Sequence, residues 1–474
     1  MPVRTRPQCM RVSGKGMDYL RCMLRDSMRP NRASSLAFWL LAAFLTILWV
    51  AGGASRSDVF GQVVVRFSAW LLILVAVMVL PRLPLRLIGW PALILGGSVV
   101  LVAVQLLPLP SSMWTQLPGR SLFSGAAIAS GSTAQPWRPL SISPSGTLNA
   151  LASLGVPASI LLFAAHLNHD QHWRILKIVL GLIGAGAVLG ILQFSGADLD
   201  NPFINNALGD VSGNFANRNH FALFLAIGCV LAPAVVLRGS SQPWKFVLVS
   251  GLVVLFVLTL LATGSRSGIV LGALGLASVC LGLRRQISDR LKVIPRKLVL
   301  PVSLTALGLS IGAVFLSVQL GRAFTIDRVS SIDAETDLRL QIWPVVLDMA
   351  WAYLPVGTGF GVFDPVFRIS EPDVLLNPRY INQAHNDFLQ VFLDGGVFGL
   401  IVLLLALGWF VRRSCQIWFS ARGTSSSNHL AKVGSIVIAL VVCASLTDYP
   451  ARTPIVMALV ALASVWLSRR ERPK

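Results

Sequence analysis

The sequence predicts an all-α, polytopic integral membrane protein of about twelve transmembrane helices with one long helical loop. Three observations carry this. Of the 474 residues, 54% are hydrophobic and only 13% charged, whereas a soluble domain is roughly 45–50% apolar. The mean hydropathy is +0.71. Apolar stretches of about 20 residues, enough to cross roughly 30 Å of hydrocarbon, recur along the chain.

In chain order the spans are expected near Leu36–Ala54, Gln62–Leu80, Leu87–Leu107, Thr147–His166, Ile175–Phe194, Asn219–Leu237, Phe246–Thr263, Ser267–Leu283, Leu298–Leu320, Gly395–Val411, Val433–Thr447 and Pro454–Ser468. The net charge of +20 would suggest nucleic acid in a soluble protein, but its placement assigns it otherwise. Threaded with the N-terminus inside, the inner segments collect most of the 40 Lys and Arg, including the run RRQISDRLKVIPRK from Arg284 to Lys297, while the remainder is close to neutral. That asymmetry follows the positive-inside rule and predicts cytoplasmic N- and C-termini.

Residues 1–35 read as a basic cytoplasmic tail without the apolar core of a secretory signal, and 36–474 as a single transmembrane domain. The six cysteines fall in the tail, in spans or in an inner loop, so no disulfide framework is expected outside, and no Cys/His spacing suggests zinc. No metal site and no cofactor are expected.

Two outer loops are long: Pro108–Gly146 and 321–394. Loops of that length are usually functional or disordered, and the patterning of the second argues against disorder. Within it, Asp333–Trp351 places Leu338, Ile342, Val345 and Met349 at helical spacing, interrupted or kinked at Pro344. An interfacial helix offering Arg339 to anionic headgroups fits; equally, Arg339 pairs with Asp337 or Asp348. The run GTGFGVF, Gly357–Phe363, lacks a Walker lysine and reads as tight turns near the headgroups. NQAHNDFLQVFLDGG then reads as a short helix capped by Asn382, with His385 in its first turn, Phe388, Leu389 and Phe392 as an apolar stripe, and Gly395 and Gly396 after it. A histidine near a helix N-terminus is held neutral by the dipole and can accept a proton from a sugar hydroxyl, oriented by Asp387 or another carboxylate. The plainer alternative is a packing or capping histidine.

Asn217, Arg218, Asn219 and His220 open the sixth span, and Ser265 and Arg266 open the eighth. Helix N-termini with arginines beside them make anion sites suited to a lipid diphosphate, although arginine at a span end also snorkels to headgroups. In the last loop, Asp448, Tyr449, Pro450 and Arg452 can form a further polar cluster, but a local Asp448–Arg452 pair closing a turn is the favoured expectation, and Arg66 is expected to reach the outer interface.

Taken together, GNFANRNHFALFLA (Gly213–Ala226), TGSRSG (Thr263–Gly268), RLQIWP (Arg339–Pro344) with PVGTGFGVF (Pro355–Phe363), AHNDFLQVFLDGGVFGL (Ala384–Leu400) and DYPARTP (Asp448–Pro454) resemble the O-antigen ligase and polymerase superfamily of bacterial envelope glycosyltransferases. The resemblance implies a GT-C-like, metal-independent, inverting transferase of the bacterial inner membrane, with its active site facing the periplasm. Its donor would be a glycan on undecaprenyl diphosphate. Carried onto this chain, Arg266 and Arg339 hold the diphosphate and His385 deprotonates or positions the acceptor hydroxyl; Arg218 and His220 are added to the donor side, and Asn386 and Asp387 as supporting residues. In the ligase branch the acceptor is the lipid A core, making the product lipopolysaccharide. A polymerase would use a second lipid-linked glycan, and a third branch transfers to protein hydroxyls. A transporter or lipid-linked glycan flippase is the alternative class; the gathering of charges at one membrane face, away from the midplane, argues against it.

Overall fold

The structure, a computed structural model, describes residues 30–80, 85–131, 135–197, 199, 201–204, 210–238, 242–282, 284, 334–376, 381–419 and 426–469. The expected basic tail up to residue 29, the span Leu298–Leu320 and the start of the long loop lie outside the described residues.

The chain is mostly helical: α1 (Pro30–Ala51), α2 (Phe60–Val79), α3 (Leu85–Val104), α4 (Ser121–Ala129), α5 (Pro144–Ser153), α6 (Gly155–Ala164), α7 (His169–Phe194), α8 (Arg218–Arg238), α9 (Pro243–Ala262), α10 (Arg266–Gly282), α11 (Ala334–Ala352), α12 (Phe363–Ser370), α13 (Asp387–Trp418), α14 (Ser426–Ala444) and α15 (Pro454–Ser468). Among the described residues, seven helices are long and apolar enough to cross a membrane, and four shorter apolar helices accompany them. The protein is a membrane protein. One departure from an all-α chain is a two-residue antiparallel pairing, Pro108–Leu109 (β1) with Arg138–Pro139 (β2), which closes the base of the first long loop.

The sequence explains the starts of these helices. Asn168 and Gln171 form a reciprocal capping box on α7. Proline at the first helical turn, where its missing N–H costs nothing, opens α5, α9 and α15. Helix α8 is apolar all round and buried from His220 to Ala232, so it forms the centre of the bundle. It packs against α7, α9, α10 and α14. Glycines permit the closest approaches: a Cβ on Gly268 of α10 would lie 2.4 Å from the Cβ of Ala222 on α8.

The segment from α11 to the start of α13 forms a second small core over one end of the bundle. Ile342, Val346, Met349 and Ala350 of α11 meet Val362, Phe363, Val366 and Phe367 around α12. Helix α11 runs continuously through Pro344 and packs on α13 with this face, while Leu340, Leu347 and Trp351 are exposed on the other. Arg120 of the first long loop is fully buried beneath it. Its guanidinium donates to the carbonyls of Leu140 at 2.8 Å and Gly357 at 3.2 Å, and lies over the rings of Trp114 and Tyr353. Burial pulls its pKa down to about 10, partly opposed by Tyr353. The glycines of GTGFG make left-handed turns; Gly357 and Gly359 are buried and Gly361 is exposed.

Helix α13 also differs from expectation. Its cap is Asn386, whose side chain accepts from the Leu389 N–H, and Gly396 does not end it. Gly396 is a kink at φ 57° and ψ −144° inside a helix that continues to Trp418. A Cβ there would lie 2.1 Å from the carbonyl oxygen of Pro355, which is why glycine occupies the position.

Candidate active site

Helices α8, α10, α13 and α15 all begin at the same end of the bundle, and their first residues are tied to one carboxylate, Asp448. Asp448 lies in the short link between α14 and α15 and is 3% exposed. Its Oδ1 stands 3.5 Å from His385 Nδ1 and 3.5 Å from His220 Nε2. Its Oδ2 accepts from Asn219 at 2.9 Å and Asn217 at 3.5 Å, and faces Arg339 at 3.7 Å. The N–H of Tyr449 donates to Oδ1 at 2.9 Å.

Burial would push the Asp448 carboxyl up. The two histidines and then Arg339 outweigh it and hold the group well below the usual carboxylate range. Asp448 is therefore an ionised acceptor at the centre of the cluster.

His385 precedes the Asn386 cap instead of falling in the first turn, and it has φ 51°, the sole positive value at a non-glycine among the described residues. Histidine tolerates this region better than most side chains, but the conformation is uncommon and such outliers gather at functional sites. The backbone turns the ring into the cluster, where Tyr449 packs edge-on against both His385 and His220, with centroids 4.9 and 5.0 Å away. His220 is pinned further by Thr453, whose hydroxyl is 2.9 Å from its Nδ1. With Nδ1 of His385 toward the carboxylate, its Nε2 occupies the opposite edge of a side chain that is 19% exposed.

Arg339 also donates to the carbonyl of Thr447 at 3.1 Å, so α11 delivers it to the cluster. Arg218 and Arg266 arrive through their neighbours. Asn217 accepts from the Asn219 N–H at the start of α8. Ser265 accepts from the Gly268 N–H as the cap of α10 and donates to Asn219 at 2.8 Å, which in turn holds Asp448. Both arginines thus stand at helix N-termini joined to the cluster by hydrogen bonds.

Two sequence expectations are corrected here. Asp387 does not orient His385: it accepts from Ser445 Oγ at 2.9 Å and the Ala451 N–H at 3.1 Å, and faces Arg452 at 3.3 Å. Nor is there a local Asp448–Arg452 pair, because Arg452 turns to Asp387 and to the fully buried Asp394, 3.4 Å away. The link 445–453 therefore sends its acid and its base to different partners. Asn386 serves as the cap of α13 and donates to the Leu446 carbonyl. Sequence reasoning named Asn217 only as opening the sixth span and Asp448 and Tyr449 only as members of a last-loop group apart from the site, and it missed Thr453. The available signal was the polarity of DYPART between two apolar spans.

Two cavities lie on the Arg452 side, and neither is lined by Asp448, His385, His220 or Arg339. One, of about 480 Å³, is almost wholly apolar, runs between α3, α6, α13, α14 and α15, and ends at Asp387 and Arg452. The other, of about 450 Å³, is polar and includes Arg66, Asn149, Gln383 and Arg452. Among the described residues no group of His, Cys, Asp and Glu is arranged to hold a metal ion.

Among the described residues, a bundle of apolar helices of membrane-spanning length thus carries a buried His–Asp cluster with arginines at one end. Residues 251–404 match the O-Antigen ligase family model (Wzy_C), so this part of the chain is similar to that family, which supports a ligase-like membrane enzyme. The match includes Arg266, Arg339 and His385, while Arg218, His220 and Asp448 lie outside it. No curated protein matches the chain.

Proposed function

We propose that residues 36–474 form a metal-independent, inverting glycosyltransferase of the bacterial inner membrane. It transfers a polysaccharide from undecaprenyl diphosphate to an acceptor hydroxyl on the periplasmic side. The acceptor in this reading is the lipid A core. The observation that carries the proposal is the approach of His385 Nδ1 to the ionised Asp448 carboxylate at 3.5 Å, beside the starts of α8 and α10. That separation is longer than a good hydrogen bond, as catalytic pairs often are before substrate binds.

In the proposed reaction, Asp448 fixes the His385 ring with Nδ1–H toward the carboxylate, leaving the Nε2 lone pair for the acceptor hydroxyl. As His385 takes that proton, the acceptor oxygen bonds to the anomeric carbon and the bond from that carbon to the diphosphate oxygen breaks. Undecaprenyl diphosphate leaves with the electron pair. Arg266 and Arg218 stand where the helix dipoles add to their own charge, so the departing diphosphate meets the positive ends of α8 and α10. Arg339 divides its charge between Asp448 and the donor. The apolar cavity ending at Arg452 suits a lipid chain.

The test is transfer by the reconstituted protein from an undecaprenyl-diphosphate glycan, offered lipid A core in one arm and a second lipid-linked glycan in the other. Transfer to the lipid A core supports the ligase reading, and elongation of the second glycan replaces it with polymerisation. Full turnover by His385→Ala and Arg266→Ala would sink the proposed site.

A further inference from the structure

The polar cavity is not used by the reaction above. It lies between the α1–α2 link, the first turns of α2 and α5, and the segment leading to α13, and its volume of about 450 Å³ falls in the usual range of small-molecule sites, roughly 300–1,000 Å³. Its lining is dominated by amides, hydroxyls and guanidinium groups, among them Gln62, Arg66, Asn149, Asn382, Gln383 and Gln390. Gly146 and Gly361 let two backbone segments meet in its wall, since a Cβ on either would lie within 2.5 Å of the other's carbonyl oxygen.

The charges in this wall are unequal. Arg56 pairs with Asp58, Asp364 with Arg368, and Arg452 with Asp387 and Asp394. Arg66 has no carboxylate partner among the described residues. It donates to Asn149 Oδ1 at 2.5 Å and makes longer contacts with the Ser57 carbonyl and Gln62, and its Nε is buried without a partner. A half-buried guanidinium held only by neutral oxygens, in a cavity of hydrogen-bonding side chains, is a receptor for an oxyanion on a polyhydroxylated ligand.

The cavity is joined to the cluster through one short segment. Gln390, fully buried, accepts from the Ala384 N–H at 3.0 Å and donates to Gln383 at 2.6 Å. Gln383 thereby faces the cavity two residues before His385.

We propose that this cavity is a glycan subsite that selects a sugar bearing a carboxylate or phosphate, with Arg66 as the group that reads the charge. The inference rests on the transferase reading, because it assigns the ligand as part of that enzyme's glycan substrate.

The test is binding of three soluble probes to the full-length protein in lipid nanodiscs: cellobiouronate, a disaccharide phosphate and neutral cellobiose. At least one anionic probe should bind about tenfold more tightly than cellobiose, and the two anionic arms show which oxyanion the site takes. Arg66→Gln should abolish that preference and Arg66→Lys should keep part of it. Asn149→Asp supplies Arg66 with an internal carboxylate while preserving the tie between helices, and should abolish the preference in a folded protein. Equal binding of all three probes, or a preference that survives in Asn149→Asp, overturns the proposal. His385→Ala separates the two readings. It should lose transfer and keep the binding preference, and a wild-type protein that transfers glycan without any such preference overturns the subsite alone.

Discussion

The two ends of the helical bundle use basic residues in opposite ways. At the end away from Asp448, cations answer helix C-termini. Lys432 donates to the carbonyl of Gly282 at the end of α10, Arg413 to the carbonyls of Leu467 and Arg469 at the end of α15, and Arg238 in the last turn of α8 pairs with Asp170. Each satisfies carbonyls or charge where the dipole is negative, which is a structural use. At the Asp448 end, Arg218 and Arg266 stand at the N-termini of α8 and α10, where the dipole already opposes a cation. On the reading proposed above, that is where the donor's anionic group is received. On that proposal, basic residues serve stability at one end and substrate charge at the other.

Substitutions at each end can break that assignment. The largest effect is expected for His385→Ala, which should lower glycan transfer by about two to four orders of magnitude, measured as initial rates on reconstituted protein. Asp448→Asn keeps the shape but removes the charge that orients His385, and should cost transfer by about two orders or more with the protein still inserted. Arg266→Ala should follow, with loss of transfer that Arg266→Lys partly restores, because lysine keeps the charge without the bidentate fork. At the opposite end, Asn168→Ala removes half of the α7 capping box. It should lower stability by about 1 kcal/mol, seen as a lower unfolding temperature in detergent, while transfer per folded molecule stays unchanged. A transfer defect in Asn168→Ala equal to that of Arg266→Ala would erase the distinction between the ends.

Asp448 also predicts a pH effect. Its folded pKa is held below the ordinary value of about 3.9, so its ionised form stabilises the fold above that pH, and the contribution is lost only as pH falls through the lower folded value. The difference in unfolding temperature between the wild type and Asp448→Asn should therefore shrink as pH drops below about 4. A difference that does not shrink at any acid pH would mean that folding does not lower the Asp448 pKa.

The spans were legible because a helix must satisfy its own backbone in lipid and shows this as about 20 apolar residues in a row. Arg218 and Arg266 were readable as arginines opening spans, and Arg339 and His385 as polar residues of the long outer loop. The carboxylate that joins Arg339 and His385 was not. Asp448 meets His220, Arg339 and His385 only because four helices start at one place, and nothing in linear order links those positions. Arg452, four residues further on, was read as its local partner on proximity alone, whereas the buried carboxylates of Asp387 and Asp394 outcompete it. The cap of α13 was misplaced for a related reason. Asn382 and Asn386 are equivalent as sequence signals, and the left-handed turn at His385 makes the second the start.

The central claim is that His385 and Asp448 act as one unit. A double-substitution cycle measures this directly, comparing transfer rates of His385→Ala, Asp448→Asn and the combined variant against the wild type. If Asp448 works through His385, the combined variant is no slower than His385→Ala alone. Rate losses that multiply across the two substitutions would show that the carboxylate and the imidazole act independently, and would contradict the account.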